Sequence, residues 1–95
     1  MKTILSISDF VPVTTVQSLT LALKSRFRLR RQEQKISQQA LARRSGVSYG
    51  SIRRFESIGE ISLTSLLRIS HAIGLMDEFH QLFKQSMIKN LKDFK

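Results

Sequence analysis

Apolar residues recur at three- and four-residue steps along most of the chain, which is the spacing of one face of an α-helix. The first such run consists of Val16, Leu19, Leu23 and Phe27, widened by Ala22 and Leu29. Thr14 and Gln17 have the spacing of a capping box, so the first predicted helix begins at Thr14 and extends to about Gln34. Its opposite face carries the arginines Arg26, Arg28, Arg30 and Arg31.

Serine and glycine residues bound the next two predicted helices. Ser37 is a suitable N-cap, and Gly46 can adopt the left-handed conformation that follows a helix, so a second helix is predicted over residues 38–45. Ser48 caps a third helix over residues 49–56. Only a short turn separates the two helices.

The second half of the chain predicts two further helices. A loop over residues 57–61 leads to Ser62 as an N-cap, and Gly74 ends the fourth helix. The apolar residues of this helix are Leu63, Leu66, Leu67, Ile69 and Ile73. The fifth helix covers about residues 76–83, with Asp77 as its candidate cap. Its predicted inner face consists of Phe79, Leu82 and Phe83.

The two ends of the chain lie outside this helical unit of residues 14–83. Residues 1–13 are an extension of β-prone and apolar residues, and Pro12 disfavours helix just before it. The extension is either a short strand over about residues 3–7 that pairs with a strand of a partner, or a frayed terminus. Residues 84–95 have apolar positions at helical spacing and form either a short sixth helix or a frayed tail.

Positive charge is concentrated in one third of the chain. The formal net charge is +9, and between Lys24 and Arg54 there are ten basic residues against a single acid, Glu33. The remaining basic and acidic residues cancel. A concentrated basic region attracts polyanions such as nucleic acid, although a charged face can also serve solubility alone.

Several function classes lack any support in the sequence. The chain has no cysteine, so it has neither disulfides nor a thiolate metal site. His71 and His80 have no further ligand at metal-binding spacing, and no nucleophile–base pattern or phosphate-cradling glycine loop is present. No apolar run reaches the length of a membrane span, and no signal peptide is evident. We therefore expect a cytoplasmic protein without cofactor, metal or enzymatic activity.

Residues 38–56 have the pattern of two short helices that cross steeply. Ala42 permits close approach of the second and third helices, and Gly46 lies in the turn between them. The predicted buried anchors are Leu41, Val47, Ile52 and Phe55. Such a pair projects its second helix from the domain, so that the helix can enter the major groove of DNA.

This stretch resembles the XRE, or Cro-like, family of helix-turn-helix regulators over about residues 18–75. The matching residues are Ser37-Gln38, Leu41-Ala42, Gly46-Val47-Ser48, Ile52, Phe55-Glu56 and Ser62-Leu63. The resemblance implies an all-α, compact five-helix lambda-repressor-like domain that binds a double-stranded DNA operator as a homodimer. A helical domain that kept this scaffold for protein contacts alone is the alternative.

The family geometry implies a set of DNA-binding residues. They are Gln38, Ser48, Tyr49, Gly50, Ser51, Arg53, Arg54, Arg43 and Arg30. Gln38 matches a phosphate-binding position, and Arg54 is the candidate for a bidentate contact to guanine. Gly50 departs from the long polar reader often found at its position.

Other roles within this set have alternatives. Arg53 either meets phosphate or forms a salt bridge to an acid such as Glu56, and Tyr49 either approaches the DNA or packs against its neighbour. Arg30 and Arg31 either anchor phosphates or pair with Glu56.

The segment after the third helix narrows the resemblance further. Residues 50–56, 59–63, 66–68 and 77–79 resemble the HipB-like antitoxins that are encoded beside HipA-type kinase toxins. This branch implies an autorepressor that also holds the kinase. A stand-alone repressor and a module that neutralises a partner enzyme without binding DNA remain alternatives.

Overall fold

The computed structural model describes residues 14–86, and every regular element within this range is an α-helix. The helices are α1 (Val16–Glu33), α2 (Gln38–Ser45), α3 (Tyr49–Ile58), α4 (Leu63–Ala72) and α5 (Met76–Gln81). The prediction of an all-α, five-helix domain is confirmed. The predicted N-terminal strand lies outside the described residues, as does most of the C-terminal tail.

Helix α1 begins one residue later than the sequence predicted. Thr15, not Thr14, is the N-cap, and its hydroxyl accepts a hydrogen bond from the N–H of Ser18 at 3.0 Å. The Ser18 hydroxyl accepts in return from the N–H of Thr15, also at 3.0 Å. Both threonines can cap a helix, but the reciprocal pair completes the capping box from Thr15.

Three serines cap α2, α3 and α4 as predicted. Each hydroxyl accepts a hydrogen bond from a backbone N–H three residues later: Ser37 from Ala40, Ser48 from Ser51, and Ser62 from Ser65. These bonds satisfy N–H groups that have no partner within their own helix. They define where the two helices of the candidate DNA-binding unit begin.

Helix α3 is two residues longer than predicted. It ends at Ile58, so the predicted stop at Glu56 and the loop from Ser57 are wrong. Gly59, which follows Ile58, has a left-handed backbone at φ +82°, and its N–H donates to the carbonyl of Phe55 at 2.8 Å. Nothing in Ser57 or Ile58 prevents the helix from continuing to that glycine.

Helix α5 is shorter than predicted. It ends at Gln81, because Leu82 is extended and Phe83 has a left-handed backbone at φ +62°. The predicted inner face is therefore wrong: only Phe79 packs against the core, and Phe83 is 93% exposed. Asp77 lies in the first turn and does not provide the cap.

The core lies where α1 packs against α3, and where α2 packs against α3 and α4. Its buried apolar residues are Phe27, Ile36, Leu41, Val47, Ile52, Phe55, Ile69, Ile73 and Leu75. Leu41, Ile52 and Ile69 are completely buried, and the rings of Phe27 and Phe55 pack edge to face with centroids 5.4 Å apart. The four predicted anchors of the α2–α3 pair all belong to this core.

The apolar stripe predicted for the inner face of α1 is mostly exposed. Only Phe27 of that stripe is buried, whereas Val16 is 86% exposed and Leu23 and Leu29 are also open to solvent. The buried residues of α1, Phe27 and Arg31, lie in its second half. The first turns of the helix thus leave apolar side chains uncovered within the described chain.

Candidate nucleic-acid interface

A three-residue turn joins α2 to α3. Gly46 ends α2 with a left-handed backbone at φ +76°, and its N–H donates to the carbonyl of Ala42 at 3.0 Å. Val47 is buried beneath the turn, and Ser48 starts α3. Ala42 is partly buried against the core, as its small side chain predicted. The pair is therefore a helix-turn-helix.

A buried ion pair holds α3 from beneath. The Arg31 guanidinium donates to both carboxylate oxygens of Glu56, through Nε and Nη2 at 2.7 Å each, and its Nη1 donates to the carbonyl of Ile36 at 2.8 Å. The two side chains are 9% and 2% exposed. The prediction that Arg31 lies on the exposed face of α1 is wrong, and pairing with Glu56 is the alternative that the structure selects for this residue.

Gln38 joins the same network from the start of α2. Its Nε2 donates to Oε1 of Glu56 at 2.9 Å, so one carboxylate connects α1, α2 and α3. The predicted contact of Gln38 with phosphate stays a prediction. In the unbound protein, its amide group fixes the N-terminus of α2 relative to α3.

Burial divides α3 into two faces. Ile52, Phe55 and Glu56 are buried, and the residues predicted to read DNA lie on the exposed remainder of the helix. These exposed residues are Tyr49, Gly50, Ser51, Arg53 and Arg54. Ser48 precedes them, and its hydroxyl donates to Oγ of Ser51 at 2.8 Å. The structure thus brings the α3 members of the predicted set together.

Arg53 lies over the ring of Tyr49, with its guanidinium carbon 5.5 Å from the ring centroid. This is the distance of a cation–π contact. The alternative pairing of Arg53 with Glu56 is wrong, because Glu56 faces the interior and is held by Arg31 and Gln38. The contact brings a positive charge and an aromatic ring together at the start of the exposed face.

Arg54 has an acidic partner in the loop after α3. Both Nε and Nη2 of Arg54 contact Oε1 of Glu60, the Nε bond at 3.1 Å. The side chains are 63% and 62% exposed. Sequence reasoning did not single out Glu60. The sequence feature that could have identified Glu60 is its position, as an acidic residue six places after the end of the basic segment at Arg54.

Gly50 leaves an open position near the start of the exposed face of α3. A Cβ atom placed on it would meet no other heavy atom within 4 Å. The unbound protein therefore has room for a larger side chain at this position. The bare backbone removes a side chain that would otherwise stand between α3 and an approaching ligand.

Arg30 and Arg43 lie outside α3 and differ in their surroundings. Arg30 is bound to Glu78 of α5 at 2.7 Å and lies 4.0 Å from Glu33. The contact of Arg30 with phosphate remains a prediction. For that contact, a DNA phosphate must compete with the carboxylates of Glu33 and Glu78 for the guanidinium. Arg43 is exposed and forms no ion pair with any residue of the described range. It is free in this range to meet phosphate.

Neither a metal-binding cluster nor a membrane-spanning helix occurs among residues 14–86. Within residues 14–86, no three histidine, acidic or cysteine side chains come close enough together to hold a metal ion. None of the five helices is long and apolar enough to span a membrane.

The comparison with protein families agrees with this geometry. A family model for helix-turn-helix proteins matches residues 27–76, slightly more than half of the chain. The matched range extends from the buried Phe27 to the first residue of α5, and includes the ion pair and the α2–α3 unit. Searches of curated proteins and of solved structures found no match. The chain therefore belongs to the XRE-like helix-turn-helix family of DNA-binding transcription regulators.

Proposed function

We propose that the protein is a sequence-specific repressor that places α3 in the major groove of a DNA operator. The observation that carries the proposal is the division of α3. Its buried face is anchored by Ile52, Phe55 and the Arg31–Glu56 pair, and its exposed face presents two arginines and an aromatic ring. A rigidly held helix with such a face suits groove recognition.

The proposed base readout centres on Arg54. Arginine offers two parallel N–H donors that match O6 and N7 of guanine, and such a contact discriminates against a wrong base by about 1–3 kcal/mol. Ser51 lies about one turn, and Tyr49 about one and a half turns, nearer the start of α3 than Arg54, and both approach neighbouring bases or sugars. Gly50 lets the backbone come close to a phosphate or a thymine methyl group.

The proposed phosphate contacts surround this centre. We assign them to Gln38, Ser48, Arg53, Arg43 and Arg30. Such contacts supply affinity and fix the orientation of the protein without reading sequence. Because each neutralised phosphate releases counterions, binding weakens steeply as salt increases.

The proposal includes a homodimer and a symmetric operator. Two copies related by a two-fold axis would place their α3 helices in half-sites about one helical turn, ~34 Å, apart. The exposed apolar side chains of Leu19, Leu23 and Val16 on α1 give a second copy a surface to bury. A repressor of this kind acts in the cytoplasm, where its operator is.

The antitoxin assignment is a finer proposal. It rests on the resemblance of residues 50–56, 59–63, 66–68 and 77–79 to HipB-like proteins, and its partner would be a HipA-like kinase. A kinase gene beside this one, and a stable complex of the two products, would support it over a stand-alone repressor. A module that only neutralises an enzyme would bind that enzyme but show no preference among DNA sequences.

Selection from a random duplex DNA library tests the proposal directly. The purified protein should enrich a single motif with two related half-sites, and a footprint on the gene's own upstream DNA should coincide with a copy of that motif. Enrichment of no motif after repeated rounds would contradict sequence-specific binding. A motif without two-fold symmetry would contradict the dimer alone.

A further inference from the structure

We propose that Glu60 is a specificity-determining residue that positions Arg54 for its guanine and opposes binding to other DNA. This inference deepens the proposed function and rests on it. Glu60 does not belong to the predicted interface, and no acidic residue was expected there. Its contact with Arg54 is the observation from which the role follows.

The backbone around Glu60 is held on both sides. Gly59 precedes it with a left-handed C-cap whose N–H is bonded to Phe55, and Ser62 caps α4 two residues later. Glu60 thus stands at a fixed point beside the exposed face of α3. Ser51, Arg54, Glu60, Ile61, Ser62 and Ser65 together line a shallow surface pocket there.

The atoms used in the contact determine what Arg54 can still bind. Glu60 takes the Nε–H and one Nη2–H of the guanidinium through the same oxygen, Oε1. Both Nη1 hydrogens and the second Nη2 hydrogen stay available, and one Nη1–H with that Nη2–H forms an edge with two parallel donors. Guanine O6 and N7 can accept from this free edge, so Glu60 fixes the plane of Arg54 and leaves it one edge with which to read guanine.

The charge of Glu60 adds a second effect. Where Arg54 finds a guanine, the carboxylate stays neutralised by the guanidinium. Where Arg54 meets another base, the carboxylate of Glu60 still repels the nearby phosphates, and no guanine contact compensates for this repulsion. Like-charge juxtaposition of this kind suppresses wrong partners. Removing the carboxylate should therefore strengthen binding to unrelated DNA while weakening discrimination.

The pair contributes little to folding, because both side chains are well exposed and such ion pairs add little stability. Variants at Glu60 should therefore be folded and measurable. Glu33 provides the matched control. It is an exposed acid that also contacts an arginine, Arg30, but it lies at the end of α1 and not beside α3.

The test measures the affinity for a selected operator and for a scrambled duplex at one salt concentration, for the wild type and for E60A, E60Q, E33A, R54A and R54A/E60A. The ratio of the two affinities should fall roughly tenfold in E60A, as expected for the loss of one oriented base contact. E60Q keeps an accepting oxygen but no charge, so its affinity ratio should lie between those of E60A and the wild type. E33A should keep the wild-type ratio within about twofold.

The double variant R54A/E60A measures the energetic coupling between Arg54 and Glu60. In the R54A background, E60A should change the ratio by less than about twofold, because the residue that Glu60 positions is gone. An unchanged ratio in E60A, or an equal fall with and without Arg54, would overturn this inference alone. A wild type that does not prefer its selected DNA would instead overturn the proposed function, and this inference with it.

Discussion

The carboxylate of Glu56 on α3 accepts two hydrogen bonds, each of 2.7 Å, from the guanidinium of Arg31 on α1. The pair joins residues 25 positions apart and is almost completely shielded from solvent. Gln38 adds a third donor to the same carboxylate. The orientation of α3 thus depends on a buried carboxylate that accepts hydrogen bonds from side chains of two other helices.

Breaking this pair from one side should destabilise the protein strongly. We expect Arg31→Met and Glu56→Leu each to reduce the free energy of unfolding by about 3–5 kcal/mol, because each leaves the other charge buried without its partner. Chemical denaturation monitored by circular dichroism measures the change. The double variant should recover much of the loss, since both charges are then removed. A double variant as unstable as the sum of the two would contradict this explanation.

Two C-cap glycines should differ in their tolerance of alanine. Gly46 and Gly59 both have left-handed backbones, which cost a residue with a Cβ about 1–2 kcal/mol. A Cβ on Gly59 would also lie 2.3 Å from Cγ2 of Thr20, whereas a Cβ on Gly46 would meet nothing within 4 Å. Gly59→Ala should therefore lower the melting temperature more than Gly46→Ala.

The side chain of Thr20 gives this comparison its control. Thr20→Ser removes Cγ2 but keeps a hydroxyl that can donate to the carbonyl of Val16, as Thr20 does at 2.7 Å. In the Thr20→Ser background, Gly59→Ala should cost about as much as Gly46→Ala. If the extra cost persists there, the clash with Thr20 is not its cause.

Ile52 should be a position of α3 that is highly sensitive to truncation. It is completely buried beneath the helix, so Ile52→Ala should reduce the unfolding free energy by about 2–5 kcal/mol through lost burial and the cavity left behind. Leu63 is the apolar control, 68% exposed, and Leu63→Ala should change stability by less than about 0.5 kcal/mol. Equal losses, measured by urea denaturation, would show that the core does not lie under α3.

Arg54 and Gln38 should affect DNA binding in different ways. Arg54→Ala should weaken binding to the selected operator by about 1–3 kcal/mol and binding to random DNA much less, because it removes a base contact. Gln38→Ala should weaken both about equally, because phosphate contacts carry no sequence information. Fluorescence anisotropy with both duplexes separates the two patterns. Equal losses for Arg54→Ala would reassign it to a phosphate.

Local rules made much of the fold predictable from the sequence. The N-caps Ser37, Ser48 and Ser62 satisfy backbone groups within three residues, so their spacing alone locates the starts of α2, α3 and α4. The left-handed Gly46 is equally local. The helix-turn-helix follows from these positions together with the apolar anchors between them.

The failures concern interactions between distant parts of the chain. The helical periodicity of α1 predicted Arg31 on the basic, solvent-exposed face of the helix. Its burial against Glu56 arises from tertiary packing, which the periodicity does not encode. The apolar stripe of α1 matched a buried face, but the described domain covers just its second half. Likewise, the contact of Glu60 with Arg54 depends on the path of the loop after α3. That loop begins two residues later than predicted, because α3 extends to Ile58.

The most direct measurement is a fluorescence anisotropy titration of the wild-type protein with the selected operator and with a scrambled duplex, at about 50 mM and about 200 mM salt. The account predicts much tighter binding to the operator at both concentrations, and affinities for both duplexes that fall steeply as salt increases. Equal affinity for the two duplexes, or binding insensitive to salt, would contradict sequence-specific recognition of DNA by α3.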